Sequence, residues 1–273
     1  MTRTKYLQLV FVIALGLAAL SACCKRSTPP VGMVGIPGGK FTMGCVAGDQ
    51  LCLADEKPAH HVKLDAFWMD EHPVTVTEYG RCVTAGACKP PKPSDDPIWG
   101  KYDNWGKPDR ANHPMNSQDW EDADRYCRWA EKRLPTEAEF ERALRGGREG
   151  AVYPWGADKT PPAATAPSQA GAPFPGADAK WVGAWPVCLT GRNAYGLCDM
   201  GVNVWEWCAD WYGADYYASS PSHNPTGPHS GPSHVLRGGS RYAFPQTLRA
   251  SYREFGELED TAFYTGFRCV KNK

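Results

Sequence analysis

The stretch Trp120–Gly147, WEDADRYCRWAEKRLPTEAEFERALRGG, carries the clearest folding instructions in the chain. Trp120, Ala123, Cys127 and Ala130 recur at intervals of three and four, which puts them on one helical face. Pro135 interrupts the pattern. Thr136, followed three positions later by Glu139, is a capping box that opens a second helix, and Gly146-Gly147 closes it. Two short helices joined by a Pro-containing break are therefore expected.

Upstream, HVKLDAFW (His61–Trp68) alternates Val62, Leu64, Ala66 and Trp68 against His61, Lys63, Asp65 and Phe67, which predicts one strand with one apolar face. TVTEYGRCVTAG follows. Thr75 with Glu78 is another capping box, Val76, Tyr79 and Val83 share a helical face, and Gly86 stops it. A Pro-rich loop runs from Lys89 to Pro114. Downstream of Gly147 the periodicity fades. The last 120 or so residues, rich in Gly, Pro, Trp and Tyr, predict short strands held by aromatic packing, disulfides or a metal.

The N-terminus reads differently. Arg3 and Lys5 form a basic n-region, and Leu7–Leu20 is an apolar run. At about 1.5 Å per residue that run is too short for a hydrocarbon core of roughly 30 Å, so residues 1–22 read as a signal peptide. LSAC, Leu20–Cys23, resembles the bacterial lipobox. That resemblance implies diacylation of Cys23 and cleavage before it, with 23–30 as a tether and 31–273 as one domain. It places the protein in the cell envelope. Lys25 and Cys24 lack an acidic retention signal, which points to the outer membrane. The other reading is an ordinary cleavage site with an incidental cysteine.

Removing residues 1–22 takes away Arg3 and Lys5 and no acids, leaving 28 basic against 30 acidic residues. This balance offers no electrostatic footprint for nucleic acid. Setting Cys23 aside leaves ten cysteines. In an exported chain these default to disulfides. Short spacings suggest Cys45 with Cys52, Cys82 with Cys88, and Cys188 with Cys198. A zinc site competes as a reading but fails on pattern, since no CxxC occurs.

Taken in order, IPGGKFTMG (Ile36–Gly44), DEKPAHHVKLDAFWMDEHPVTVTEY (Asp55–Tyr79), the Trp120–Gly147 stretch, YPWG (Tyr153–Gly156), YGLCDMGVNVWEW (Tyr195–Trp207), RGGS (Arg237–Ser240) and TGFRC (Thr265–Cys269) resemble the formylglycine-generating enzyme, or sulfatase-modifying factor, domain family. The resemblance covers essentially the whole mature chain. It implies an α+β fold with a C-type-lectin-like core and low regular secondary structure. It also implies a disulfide between Cys127 and Cys269. A second family disulfide would use Leu144 and Arg253, where both cysteines are absent.

Active members oxidise a sulfatase cysteine to formylglycine with O2 and copper. Two thiolates are needed, because soft sulfur ligands select Cu(I). The resemblance puts them three and eight residues past Ser240, at Ala243 and Leu248 here. Neither side chain can ligate copper, so copper is not expected. Cys208 is the candidate unpaired thiol, and one thiolate makes a poor Cu(I) site.

In CDMGVNVWEW, the carboxylates of Asp199 and Glu206 and the carbonyls of Val202 and Val204 match the family's structural calcium positions, and hard oxygens suit Ca2+. Val202 stands where glycine is usual. The other reading is a metal-free turn packed by Trp205 and Trp207. His60 and His61 read as structural or exposed, His113 as packing, and His223, His229 and His234 as members of a solvated loop. Arg237, Arg249, Arg253 and Arg268 either line a cleft or pair with carboxylates and aromatics.

Three functions follow. The first is a lipid-anchored binding or scaffold module, holding a peptide, protein or small ligand in a cleft beside Trp205, Ser240, Tyr242, Ala243 and Phe244, and touching the membrane only through its anchor. The second is a formylglycine-generating oxidase, disfavoured by Ala243 and Leu248. The third is an iron-dependent sulfoxide synthase, which would need an additional helical domain with iron-binding histidines for which the sequence has no motif.

Overall fold

The computed structural model describes residues 28–91, 100–156, 183–240, 245–258 and 261–273. Cys23, Tyr242, Ala243 and Phe244 lie outside the described residues. Within them, three helices meet three small sheets. One sheet has the order β1–β4–β9, from β1 (Met33–Ile36), β4 (Phe67–Asp70) and β9 (Val270–Asn272). A second pairs β2 (Gly39–Met43) antiparallel with β3 (His60–Leu64). The third has the order β7–β6–β5–β8, from β5 (Trp205–Trp211), β6 (Ser233–Arg237), β7 (Glu254–Glu257) and β8 (Thr265–Gly266). Only β5 and β8 run parallel in it.

The helices begin where local chemistry sets them. In α1 (Val76–Thr84), Thr75 accepts from Glu78 N and the Glu78 carboxylate returns to Thr75 N at 2.8 Å. In α2 (Trp120–Trp129), Asp119 caps through Asp122 N at 2.7 Å. In α3 (Glu137–Arg145), Thr136 and Glu139 close the expected box, and Gly146 ends the helix at φ 58°. A residue with a Cβ is penalised in that left-handed conformation.

The predicted single strand over 61–68 divides. It breaks at Asp65–Ala66, so that β3 joins one sheet and β4 another. The break shifts the inward register. Phe67 and Met69 are buried, whereas Trp68 is only half-buried. A one-residue slip exchanges the two faces of a strand.

Helix α3 is the centre of the molecule. It packs against β2, β3, β5 and β6, and every one of its residues is buried. It nevertheless carries Glu137, Glu139, Glu141, Arg142 and Arg145. Buried charges need partners, and each of these finds one. Glu141 accepts from Arg145 at 2.8 and 3.0 Å, from Gly44 N at 2.8 Å, and from Arg237. Arg142 reaches Pro37 O at 2.8 Å. Glu137 takes both arms of Arg253, at 2.7 and 3.0 Å.

All four expected disulfides form: Cys45–Cys52, Cys82–Cys88, Cys188–Cys198 and Cys127–Cys269. The last ties α2 to the segment before β9. Leu144 sits in the apolar core, and Arg253 is committed to Glu137. His234 corrects the sequence reading. It lies in β6, 1% exposed, rather than in a solvated loop. Its ring is stacked between Trp120 and Trp211, with centroids 3.9 Å away on either side.

Candidate functional site

Strand β6 ends at Arg237, and the chain turns through Gly238 and Gly239 at φ 95° and 77°. The turn demands glycine twice over. A Cβ on Gly239 would lie 2.5 Å from Leu248 Cδ2, and one on Gly238 would lie 3.2 Å from Phe140 Cζ. Leu248 therefore occupies the space that the turn leaves open. It is 1% exposed and belongs to the same apolar core as Val202, Trp205 and Tyr153.

The segment carrying Leu248 is clamped by two buried arginines. Arg237 donates to Ser251 O at 2.9 Å, to Ala250 O at 2.8 Å, and to Tyr252 O. Arg249 donates to Gln246 O at 2.7 Å, to both oxygens of Glu56 at 2.6 Å each, and to Asp49 at 2.8 Å. Asp49 lies inside the Cys45–Cys52 loop, so that disulfide helps hold the clamp. Arg268 completes the pattern on Glu206, at 2.7 and 2.8 Å. Of the sequence's two readings for these arginines, carboxylate pairing is the one realised.

Trp205 and Ser240, two of the proposed cleft residues, are 6% and 2% exposed. Trp205 is tilted on Tyr252 at 5.8 Å between ring centroids. The remaining cleft candidates, Tyr242, Ala243 and Phe244, fall outside the described residues.

Copper does not fit the described half of this site. Leu248 offers no lone pair and fills its own volume. Cys208, the free thiol, is fully buried on β5. Burial, reinforced by the Asp210 and Glu137 carboxyls, pushes its pKa well up. It is a neutral thiol rather than a thiolate ligand.

The segment Asp199–Glu206 fits a cation only in part. Asp199 and Glu206 are both 1% exposed, and Arg268 pairs with Glu206. Burial raises the Glu206 pKa against the pull of Arg268, and the Asp199 charge adds to the rise. Among the described residues no lysine or arginine forms an ion pair with Asp199. Against this, both Glu206 oxygens are on Arg268. The Asp199 oxygens already accept from Cys188 N at 2.7 Å and from Thr190 Oγ1 at 2.6 Å. Asp199 and Asn203 take the positive φ here, at 57° and 76°, and Gly201 takes 87°; Val202 is spared it. The substitution of glycine by Val202 is therefore not strained.

Sequence reasoning missed one feature of this region. Asp210, on β5, is a fully buried carboxyl that accepts from Glu137 N at 2.9 Å. Burial and Glu137 push its pKa well up. Its sequence context, WCADWYG, contains no cap or motif signal.

Comparison with known proteins agrees with this architecture. Residues 20–273 match the sulfatase-modifying factor enzyme 1-like domain. The formylglycine-generating enzyme of Thermomonospora curvata is 36% identical, over 88% of this chain and 93% of that protein. That of Streptomyces coelicolor is 34% identical, over 88% and 89%. The structure of PvdO from Pseudomonas aeruginosa superposes with a TM-score of 0.72 at 26% identity, covering 92% of this chain and 96% of that one. The glycine turn, the arginine clamps and the extent of these matches lead to one conclusion: the chain belongs to the sulfatase-modifying factor, or formylglycine-generating enzyme, domain family and has that family's α+β fold.

Proposed function

We propose that this chain is a lipid-anchored envelope protein that uses the family fold as a binding or scaffold module, without copper-dependent cysteine oxidation. One observation carries the reading: Leu248, where the resemblance expects a thiolate, is buried against Gly239 with no room and no donor atom for a metal. Cysteine oxidation by O2 needs a centre that binds the substrate thiol and passes its electrons to oxygen. Hydrocarbon side chains do neither. The residues that remain are suited to rigid presentation of a surface, since Arg237 and Arg249 pin the segment on two sides.

The second reading is a formylglycine-generating oxidase, favoured by identity of 36% across 93% of an enzyme of that name. One experiment separates the two. Purified protein, incubated with Cu(I), O2 and a cysteine-containing sulfatase peptide, is expected to leave the peptide unoxidised and to show no tight Cu(I) uptake. The double substitution Ala243→Cys with Leu248→Cys, kept reduced until metal is added, is expected to gain Cu(I) binding. Copper-dependent peptide oxidation by the unsubstituted protein would overturn the proposal. The anchor is tested separately: mass spectrometry of the native N-terminus is expected to find an acylated Cys23, and an N-terminus elsewhere removes it.

A further inference from the structure

A separate concavity has a lining that includes none of Arg237–Ser240 and not Leu248. The turn meets α3 at Phe140, whose Cζ lies 3.2 Å from a Cβ placed on Gly238. The groove borders the N-terminal end of the same helix, at Thr136 and Glu139. The groove encloses about 650 Å³, within the usual range of ligand sites. Ala66 and Ala209, half-buried over the buried Leu64 and Phe67, give it an apolar lining, and Asp65, Asn224, Thr226 and Asn272 give it polar edges.

Its charges are already answered from within. Arg133 holds Glu139 through two bonds at 2.6 and 2.7 Å and also reaches Asn272 Oδ1 at 2.7 Å. Asp65 accepts from Asn224 at 2.8 Å and lies 3.3 Å from His223 Nε2. The helix end offers no anion site, because Glu137 N goes to Asp210 and Glu139 N to Thr136 Oγ1. Lys273 adds an ammonium whose Nζ lies beside Gly35. An anionic ligand thus meets one ammonium at the edge and no guanidinium fork, and a cationic one meets only a shared carboxylate.

Backbone recognition of a peptide is closed off as well. The outer edge of β3 is paired, with Lys63 N on Ser222 O at 2.8 Å and Asn224 N on Lys63 O at 3.0 Å. On the outer edge of the short β9, Val270 is paired, exchanging bonds of 2.9 and 2.8 Å with Arg133. Strand addition needs a free row of such groups. What remains is planar amides, a carboxylate and hydroxyls above an apolar lining. Among the described residues, no acceptor takes the Thr136 Oγ1 proton or the Asn272 amide N–H groups. We propose that this groove binds a short neutral glycan, whose vicinal hydroxyls match the amide and carboxylate edges and whose ring faces match the apolar lining.

The test uses the folded mature protein and a panel of neutral oligosaccharides of two to four residues, built from glucose, galactose, mannose and N-acetylhexosamine. Binding is read by saturation-transfer NMR and titration calorimetry. At least one sugar is expected to bind saturably. Thr226→Trp, a change at an exposed rim position, is expected to abolish binding, and Asn272→Ala to weaken it about tenfold, the value of one well-placed hydrogen bond. Melting curves of both variants check that the fold is intact. Absence of binding across the panel would overturn the proposal, as would binding unchanged in Thr226→Trp. Saturable binding of the capped tripeptide acetyl-Ala-Ser-Ala-amide in place of the sugars would overturn the ligand class.

Discussion

Acid is expected to destabilise this protein through His234, and the structure sets the size of the effect. The imidazole is 1% exposed between two indole faces, with Nδ1 3.1 Å from Asp210 O and Nε2 unpartnered. Desolvation moves its pKa from 6.5 to about 4. A depressed folded-state value means that the native state prefers the neutral ring. The stabilisation is therefore complete above pH 6.5 and is lost as pH falls from 6.5 towards 4. At about 1.4 kcal/mol per pKa unit, the full loss is about 3 kcal/mol, and a drop from neutrality to around pH 5 already costs about 2 kcal/mol. For a domain of this size that corresponds to roughly 4–8 °C in Tm. His113, whose pKa burial also lowers to about 4, contributes in the same window. Comparison with His234→Phe removes that contribution, since His113 is present in both proteins. The assay is thermal and urea unfolding from pH 7.5 to 4.5. The variant is expected to start less stable, having lost the bond to Asp210 O, but to lose about 2 kcal/mol less than the wild type over the acid step. Equal pH slopes in the two proteins would refute the reasoning, because a solvated His234 has no depressed pKa to lose.

Three further outcomes are expected. Gly239→Ala places a Cβ 2.5 Å from Leu248 at φ 77°, so unfolding experiments are expected to show a loss of about 2–4 kcal/mol; adding Leu248→Ala relieves the clash, and the pair is expected to couple favourably in a double-mutant cycle. Glu141→Ala strands Arg237 and Arg145 without their shared carboxylate and is expected to cost about 3–5 kcal/mol, whereas the exposed pair Lys271–Glu131 is worth under about 1 kcal/mol by the same urea assay. If calcium binds at Asp199, a chelator is expected to lower the Tm of the wild type and to leave Asp199→Asn unmoved, since a ligand of the native state stabilises by mass action; a wild type indifferent to chelator favours the metal-free turn.

The three helices and three of the four disulfides were legible in the sequence because their causes are local. A capping box spans four residues, and Cys82–Cys88, Cys45–Cys52 and Cys188–Cys198 are separated by only 6, 7 and 10 positions. The family motifs were legible for a related reason, since their glycines and aromatics hold fixed offsets along the chain. Strand β5 was hidden because nearly all of it is buried on both faces, which erases the alternation that marks a strand. The break at Asp65 was hidden because the apolar alternation runs on through it.

Partnership across the chain had no trace in spacing. Arg237 meets Glu141 from 96 positions away, and Arg249 meets Glu56 from 193. His234 sits in a Pro- and Gly-rich stretch that reads as solvent-facing, yet Trp120 and Trp211 close over it from a helix and a neighbouring strand. The absence of a thiol at Leu248 is a fact of sequence. That the leucine fills the volume beneath Gly239 is a fact of packing. Burial, and with it the state of every charge in this core, depends on which segments are brought together, and chain-local chemistry carries no information about that.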